Sequence, residues 1–376
     1  MKHVDDVDSL EGVPDDARRL ISSRLGETRA LTPTVAKLFT HGRPGEVALA
    51  DCTQMDAEQL GVLLHSASQS EELDHLELGL CGRGLTDALL STWAGALSGR
   101  SRGALRRVAL RGAYRVTDAG VASLLDACPK LASLDVSHAG TGVTPRSLEA
   151  LSSRAGELKS LTLDHCPGLS CAAAGDALLR IPGLTRLSLV GLASLPSSCV
   201  ATAAVALGPC LTDLRLTGCA MVDDDAIAAV AASCRSLVRL DLARCPLVGD
   251  RSVASICDFS PPGLAVLSLS RCGPDMADGG ALRRLSSRLG SSLSSLGIAA
   301  HPGVDDHVMA EIARACGRLT ELDVSFCRGG GLTDDGLGLV ADSCPRLETL
   351  HVWGLRVGPK FLDGHSNTRL RVVGLA

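Results

Sequence analysis

Two stretches of this sequence share one pattern, and that pattern decides the fold. Residues 211–219 read LTDLRLTGC, and residues 237–245 read LVRLDLARC. Leucine stands first, fourth and sixth in both, and cysteine stands ninth. Leucines that alternate along the chain predict a short strand with one apolar side. Between the two stretches, residues 225–232 have apolar side chains at three-to-four spacing and predict an amphipathic helix.

The same pattern recurs along most of the 376 residues. Its copies begin at Leu73, Leu105, Leu131, Leu158, Leu184, Leu211, Leu237, Leu264, Leu293, Leu319 and Leu347. A shorter copy opens the array at 47–52, and half a copy closes it at 370–375. One strand and one helix cannot bury both faces alone, so neighbouring copies must stack.

The sequence therefore predicts an α/β leucine-rich-repeat solenoid (horseshoe) over residues 46–376. We expect about eleven full repeats with terminal half-repeats. A parallel sheet should line the concave face, and helices should cover the convex face. Asp224, Asp250, Asp306 and Asp334 are placed to act as helix N-caps or first-turn acids.

The composition agrees with thin stacked layers. Apolar residues make up 45% of the chain but aromatic residues only 2%, whereas the thick core of a compact enzyme needs more aromatic bulk. Acidic residues outnumber basic ones by 42 to 37, for a net charge of −5. Binding through phosphate neutralisation normally needs a basic excess. Direct nucleic-acid binding is therefore not expected.

The fifteen cysteines predict reduced thiols. The N-terminus has no apolar signal segment, and the sequence has no Cys-x-x-Cys pair, so a nuclear or cytoplasmic protein with buried free thiols is expected. The ninth-position set comprises Cys81, Cys166, Cys219, Cys245, Cys272 and Cys327. A second set, expected at helix ends and in the core, comprises Cys128, Cys210, Cys234, Cys316 and Cys344. The uncharged stretch 188–212 contains Pro196 and is not expected to span a membrane.

No arrangement of residues indicates catalysis. The sequence shows no Ser/His/Asp order, paired carboxylates or metal-ligand spacing above background. Residues 328–331 (RGGG) lack the Lys-Ser/Thr that follows in a phosphate loop. His365 and Asn367 are expected to tie the last repeat through side-chain hydrogen bonds to the backbone. We therefore expect no enzyme activity, no cofactor and no metal site.

The concave face should be lined by the side chains that lie between the strand leucines or just after them. Arg and Trp are the usual anchors of protein interfaces. The candidate partner-binding residues are Arg107, Arg215, Arg239, Arg244, Arg271, Phe326, His351 and Trp353. The alternative is a solvated sheet face whose charges serve solubility. Phe326 and Trp353 stand out because aromatic residues are so rare in this chain, although they could instead pack as a cap against Phe361.

The repeats and their cysteines resemble the cysteine-containing leucine-rich-repeat family found in F-box proteins. Two end regions resemble the Rad-seven-type nucleotide-excision-repair branch of fungi and plants more closely. They are residues 13–17 (VPDDA) with 46–53 (EVALADCT), and residues 361–367 (FLDGHSN) with 372–375 (VVGL). The branch usually carries a long polar region ahead of the first segment, and this sequence does not contain it. Two explanations stay open: a truncated gene model, or a real absence, with which a partner bound there by relatives would be lost.

Residues 1–45 predict a helical N-terminal segment. Pro14 would open a helix with Leu20, Ile21 and Leu25 on one face. The resemblance implies that this degenerate F-box-like segment docks a Skp-type or elongin C-type adaptor. The alternative is a cap that shields the first repeat, which every solenoid needs.

Two functions remain open. The resemblance implies a non-catalytic recognition subunit of a cullin-type ubiquitin ligase, acting in nucleotide excision repair and holding a protein partner or substrate on the concave face. The alternative is a repeat-based protein–protein interaction scaffold with no ubiquitin-ligase connection. In either case we expect a monomer within a larger complex and no membrane contact.

Overall fold

The computed structural model describes residues 46–375, apart from residues 50, 54, 70–72, 155, 182, 260, 274–278 and 330. The predicted adaptor-docking residues Pro14, Leu20, Ile21 and Leu25 lie outside the described residues. The chain divides into two compact units, residues 1–184 and 185–376, and each unit is described by itself.

The first unit has a parallel sheet in the order β1-β2-β4-β6-β7, with one helix or helix pair after most strands. Its strands are β1 (Glu46–Leu49), β2 (His75–Leu78), β3 (Gly82–Thr86), β4 (Arg107–Leu110), β5 (Ala113–Arg115), β6 (Ser133–Asp135) and β7 (Ser160–Thr162). Its helices are α1 (Ala57–Ser68), α2 (Asp87–Ala96), α3 (Gly99–Ala104), α4 (Asp118–Ala127), α5 (Pro145–Arg154) and α6 (Ala172–Leu178), with a 3₁₀ turn at Pro167–Leu169. Strands β3 and β5 pair separately as a small second sheet.

The second unit has the most regular repeats. Its strands are β8 (Arg186–Ser188), β9 (Asp213–Arg215), β10 (Arg239–Asp241), β11 (Val266–Ser268), β12 (Ser295–Gly297), β13 (Glu321–Asp323), β14 (Thr349–His351) and β15 (Arg371–Val373). Its helices are α7 (Ser197–Leu207), α8 (Asp224–Ser233), α9 (Asp250–Phe259), α10 (Gly280–Leu289), α11 (Asp306–Ala315), α12 (Asp334–Ser343) and α13 (Pro359–Leu362). The strands pair in sequence order, all parallel.

Equivalent leucines of successive repeats lie side by side in the sheet. In the second unit Leu214 pairs with Leu240, Leu240 with Leu267, and the series continues through Leu296 and Leu322. All five side chains are buried. Burying a leucine side chain contributes roughly 1.5–3 kcal/mol, so this row is a main source of stability. The predicted leucine-rich-repeat fold, with strands and helices alternating in register, is confirmed.

The acidic residues predicted at the helix starts are in their expected places. Asp224, Asp250, Asp306 and Asp334 are each the first residue of a helix. The N-cap of α8 is the preceding residue, Asp223, whose carboxylate accepts from the Ala226 N–H at 3.0 Å. N-capping of this kind satisfies amide groups that have no partner inside the helix.

The ninth-position cysteines lie where the chain leaves each strand, and all are buried except Cys272, which is half-buried. In the second unit the Cys219, Cys245 and Cys272 thiols each donate to a backbone carbonyl of the preceding repeat at 3.1 Å. Burial raises the pKa of the Cys245 thiol to about 11 and that of Cys272 to about 12. These thiols therefore stay protonated and act as small hydrophobic residues that also donate one hydrogen bond.

The second cysteine set is buried at helix ends with one exception. Cys128, Cys234, Cys316 and Cys344 are buried C-cap residues. The prediction was wrong for Cys210, which is exposed. The C-cap of α7 is Gly208, so Cys210 lies two residues beyond the helix end, outside the position that faces the core.

The end of the second unit is held by side chains of residues 363–369. Asn367 Nδ2 donates to the Leu347 carbonyl at 2.9 Å, and its Oδ1 accepts from the Arg369 N–H at 3.1 Å. The His365 ring packs 5.1 Å from the buried Phe361 ring. Asn367 therefore has the structural role that the sequence predicts.

Two searches of the described residues were negative. None of their helices combines the length and apolar character needed to cross a bilayer. No group of three or more of their His, Cys, Asp and Glu side chains could hold a metal ion.

Candidate partner-binding site

Each of the eleven full repeats turns off its strand through a described residue in the left-handed backbone region. Their φ angles lie between 50° and 73°. The residues are Leu80, Gly112, His138, His165, Gly191, Gly218, Arg244, Arg271, Ala300, Phe326 and Gly354. Only four of the eleven are glycine, although this conformation costs other residues roughly 1–2 kcal/mol. The other repeats therefore keep a side chain at this position although its backbone conformation is unfavourable. This makes the non-glycine residues functional candidates.

Backbone hydrogen bonds fix this position in the second unit. The N–H of Arg271 donates to the Ala299 carbonyl at 2.8 Å, and that of Phe326 donates to the Trp353 carbonyl at 2.6 Å. Each bond joins a left-handed residue to the next repeat. The side chains therefore stand at the edge of the sheet where the strands end, one per repeat.

Two arginines lie over one aromatic ring at this edge. The Arg271 guanidinium carbon is 5.2 Å from the centroid of the Phe326 ring, and that of Arg328 is 5.7 Å from it. Arg328 Nε also donates to the Gly354 carbonyl at 3.2 Å. Cation–π contacts of this kind, at exposed sites, are worth about 0.5–1 kcal/mol each. They hold the two guanidinium groups in place and leave most of their N–H donors unused.

Trp353 and Gly354 complete this part of the edge. The Trp353 side chain is 52% exposed and that of Phe326 is 38% exposed. A Cβ on Gly354 would come within 2.6 Å of the Phe326 ring, so the glycine leaves the space in which that ring lies. We define the cationic edge as Arg244, Arg271, Phe326, Arg328 and Trp353.

The arginines of the cationic edge have no acidic partner in the described part of the chain. None of Arg244, Arg271 and Arg328 forms an ion pair with a described carboxylate. Two acidic residues of the strands, Asp241 and Asp323, accept instead from the backbone N–H groups of Ala243 and Ser325. The cationic edge therefore carries positive charge that the fold itself does not neutralise.

Other predicted residues of the second unit lie on the sheet face opposite the helices and are already paired. The Asp213 carboxylate accepts from Arg215 Nε and Nη2, both at 3.1 Å, and lies 3.5 Å from Arg239 Nε. His351 Nε2 is 3.3 Å from Glu321 Oε1. Internal pairing leaves these residues fewer free donors for a partner than the cationic edge has.

Arg107 lies apart from this group along the chain. It is the first residue of β4 in the first unit, and its side chain is exposed. The structure thus brings Arg271, Phe326 and Trp353 together at one edge of the second unit. On the sheet, Arg215 and Arg239 form ion pairs with Asp213, and His351 contacts Glu321.

Sequence reasoning did not identify Arg328 as a site residue. The RGGG run was considered only as a phosphate loop, whose Lys-Ser/Thr it lacks. In the structure, Arg328 contacts Phe326, and a Cβ on Gly329 would lie 1.8 Å from the Pro302 carbonyl oxygen. The glycine is therefore required by close backbone packing, and it fixes the turn that carries Arg328.

Comparisons with known proteins agree with the fold. A family model described as a leucine-rich repeat matches residues 233–257. DNA repair protein rhp7 of Schizosaccharomyces pombe is 26% identical over 306 residues, which cover 72% of this chain and 52% of that protein. The chain thus spans about half the length of the curated relative that it matches.

Solved structures share the architecture. The yeast structure described as the Rad7 and Elc1 complex matches with a TM-score of 0.73 and 20% identity, covering 97% of this chain and 89% of that chain. An internalin from Listeria monocytogenes matches with a TM-score of 0.52 and 13% identity, covering 95% and 94%. Both likenesses show the repeat fold. With its repeats and its curated relative, the chain is similar to Rad7-type leucine-rich-repeat proteins.

Proposed function

We propose that this chain is a non-catalytic recognition subunit of a cullin-type ubiquitin ligase that acts in nucleotide excision repair. The observation that carries the proposal is the similarity to a DNA repair protein over 306 residues. In this proposal the repeats hold a protein partner or substrate, ubiquitin transfer takes place on other subunits, and the chain works in the nucleus.

The adaptor contact is assigned to the N-terminal segment, residues 1–45. Rad7, whose fold matches this chain, was crystallised as a complex with Elc1. We propose that this chain likewise binds an elongin C-type adaptor, through the face that contains Leu20, Ile21 and Leu25. A Skp-type adaptor is the second candidate, and binding assays with both proteins distinguish them.

The partner-binding surface is assigned to the repeats of the second unit. Charged and aromatic side chains meet there at the strand ends, and three arginines have no described acidic partner. Arg and Trp are enriched at the residues that dominate binding energy in protein interfaces. The same surface would serve the alternative function, a scaffold with no ubiquitin-ligase connection.

A binding experiment tests the adaptor assignment. The full chain would be mixed with purified elongin C-type and Skp-type adaptors, alone and with cullin, and complexes would be separated by size. We expect the full chain to bind the elongin C-type adaptor and the double variant Leu20→Asp/Ile21→Asp to lose it, because carboxylates do not enter an apolar interface without a partner.

The control changes two exposed apolar residues outside the segment. Leu80 and Met221 are exposed, and the Leu80→Asp/Met221→Asp variant should bind the adaptor as the unchanged chain does. If the unchanged chain, folded by circular dichroism, binds neither adaptor, the ligase assignment is wrong and the scaffold function takes its place.

A further inference from the structure

The cationic edge has the composition of a site for a short anionic segment. Its guanidinium groups can each form two parallel hydrogen bonds with a carboxylate. Arg271 and Arg328 both lie within 6 Å of the Phe326 ring centroid, so two like charges are held in one neighbourhood. An anion placed beside them would reduce their mutual repulsion and use their remaining donors.

The same edge offers an apolar surface. Phe326 and Trp353 are joined by the hydrogen bond between the Phe326 N–H and the Trp353 carbonyl. Both rings are exposed in a chain that is only 2% aromatic. Between Arg271 and Phe326 along the repeats, the left-handed position is held by Ala300, across which the Arg271 guanidinium reaches the Phe326 ring. An apolar side chain of a partner could pack against the exposed parts of the Phe326 and Trp353 rings.

We infer that the cationic edge binds an acidic peptide segment that carries at least one large apolar side chain. Its carboxylates pair with Arg271, Arg328 and Arg244, and its apolar side chain packs on Phe326 and Trp353. The inference rests on the proposed function, since the segment belongs to the protein partner that the repeats are proposed to hold.

The charge distribution favours a peptide over a nucleic acid. The strand positions beside the edge carry Asp241, Asp323 and Glu321, so a long polyanion that continued across the sheet would meet carboxylates. The whole chain has a net charge of −5. Nucleic-acid binding depends on many phosphate contacts to cations, whereas a short acidic segment needs only the three arginines at the edge.

Binding would be measured on the full chain with labelled peptides. The probe is a fluorescein-labelled peptide rich in Glu and Asp with a central Leu-Phe pair. Its matched controls are the same peptide with every acid replaced by the corresponding amide, and labelled oligo(dT). We expect the acidic peptide to bind, with an affinity that falls as salt is raised, and the amide peptide and oligo(dT) to bind at least about tenfold more weakly.

Two variants test the edge itself. Arg271→Glu/Arg328→Glu should weaken binding of the acidic peptide by at least about tenfold, a free-energy change of about 1.4 kcal/mol. The matched control is Arg235→Glu, because the Arg235 guanidinium carbon also lies over a phenylalanine, 5.7 Å from the Phe259 ring centroid, but at the end of the repeats where helices finish. Arg235→Glu should bind the peptide as the unchanged chain does.

Tryptophan emission gives a readout that depends on position. The chain has two tryptophans, of which Trp93 is buried in the first unit and Trp353 is exposed at the cationic edge. Peptide binding should therefore change the emission of the unchanged chain and leave that of the Trp353→Phe variant constant.

Several results would overturn the inference. The inference is wrong if the acidic peptide does not bind, or if the amide peptide binds as tightly as the acidic one. It is also wrong if Arg235→Glu loses as much peptide affinity as Arg271→Glu/Arg328→Glu, or if oligo(dT) binds more tightly than the acidic peptide. None of these variants touches residues 1–45. If adaptor binding is retained while the acidic peptide fails to bind, only this inference is lost and the proposed function stands.

Discussion

Asp224 and Ser252 link two successive repeats through two hydrogen bonds. The Asp224 carboxylate accepts from the Ser252 N–H at 3.0 Å and from the Ser252 hydroxyl, and it accepts a third bond from the Gly249 N–H at 2.9 Å. Ser252 is fully buried. Asp224 begins α8, while Gly249 and Ser252 lie at the start of α9, so the first-turn acid of one helix satisfies the amide groups at the start of the next.

The same relationship recurs along both units. In the first unit Asp118 accepts from the Thr144 N–H at 2.8 Å, and its hydrogen bonds to Thr144 and Ser147 outweigh its burial, so its pKa is lowered. In the second unit Asp306 accepts from the N–H and hydroxyl of Thr333, at 2.8 and 2.7 Å. The acid-to-amide contact therefore recurs at several helix starts of each unit, although α7 and α10 have no acid in their first turn.

Replacing Asp224 should weaken the coupling between its two repeats. In Asp224→Ala the buried Ser252 hydroxyl and two N–H groups lose their acceptor, which should destabilise the native state by about 2 kcal/mol. Native-state hydrogen exchange would show the loss first in the amides of α9, because each repeat contacts only its neighbours.

The adjacent acid provides the control for this experiment. Asp225 also lies in the first turn of α8, but its carboxylate pairs with Arg251 on the surface at 3.1 Å, with both side chains highly exposed. Asp225→Ala should change stability by no more than a few tenths of a kcal/mol. Similar losses of protection in both variants would show that the helix dipole, and not the inter-repeat contact, accounts for the effect.

The repeat fold could be predicted from the sequence because burial determines it. A leucine, valine or isoleucine stands at every first, fourth and sixth position of the eleven repeats, as in Leu237, Leu240 and Leu242, and stacking the repeats removes all of them from water. Four helix starts, at Asp224, Asp250, Asp306 and Asp334, were predicted to within one residue. The sequence did not show which acid of Asp223, Asp224 and Asp225 caps its own helix and which bonds to the next repeat.

The cationic edge could be predicted only in part. Phe326 and Trp353 were predicted because aromatic residues are rare, and Arg244 and Arg271 because they follow strands. The contact between Arg271 and Phe326 spans two repeats and depends on the small Ala300 between them, and no sequence period encodes that distance. Glycine at this position in four of the eleven repeats was the sequence signal for the left-handed conformation, and the other seven repeats lack it.

One cysteine should react much faster than the others with a thiol reagent. All fifteen lie in the described part of the chain, where Cys210 is exposed, Cys171 and Cys272 are half-buried and the other twelve are buried. Because the thiolate is the reactive form, burial that raises the pKa of Cys245 to about 11 and of Cys128 to about 12 should keep those thiols inert. We expect one fast equivalent of 5,5′-dithiobis(2-nitrobenzoate) in the native chain and none in Cys210→Ser. Several fast equivalents in the unchanged chain would contradict the burial of the cysteine rows.

His301 should make stability depend on pH. It occupies the ninth position, where other repeats have cysteine, and its Nε2 lies 2.5 Å from the Leu269 carbonyl oxygen. Burial lowers the pKa of His301 below its ordinary value of 6.5, and the Leu269 carbonyl only partly offsets this. The unfolded chain therefore binds the proton more readily, and the stability present above about pH 6.5 falls as the pH drops towards the folded-state pKa.

The matched variant for this prediction is His301→Cys, which restores the residue found at the same position in neighbouring repeats. Cys327 in the next repeat donates to the Ile298 carbonyl at 3.3 Å, so a cysteine can make the equivalent contact. Urea unfolding midpoints measured from about pH 7 to pH 5 should fall less steeply for the variant than for the unchanged chain. Parallel curves would show that His301 does not titrate differently in the two states.

Adding one methyl group to Gly354 should disrupt the cationic edge. Gly354 has a φ of 69°, and a Cβ there would come within 2.6 Å of the Phe326 ring and 2.9 Å of Arg328 Nη2. We expect Gly354→Ala to destabilise the native state by about 1–2 kcal/mol, and to weaken acidic-peptide binding although every arginine is retained.

Gly338→Ala is the control, since Gly338 lies inside α12 with nothing within 4 Å of its Cβ position. This change should stabilise the chain by roughly 0.5–1 kcal/mol. A lower free energy of unfolding in Gly354→Ala and a higher one in Gly338→Ala would show that the Phe326 ring needs the space beside Gly354. Equal stability and unchanged binding in Gly354→Ala would mean that the Arg271, Phe326 and Arg328 arrangement is not what holds the peptide.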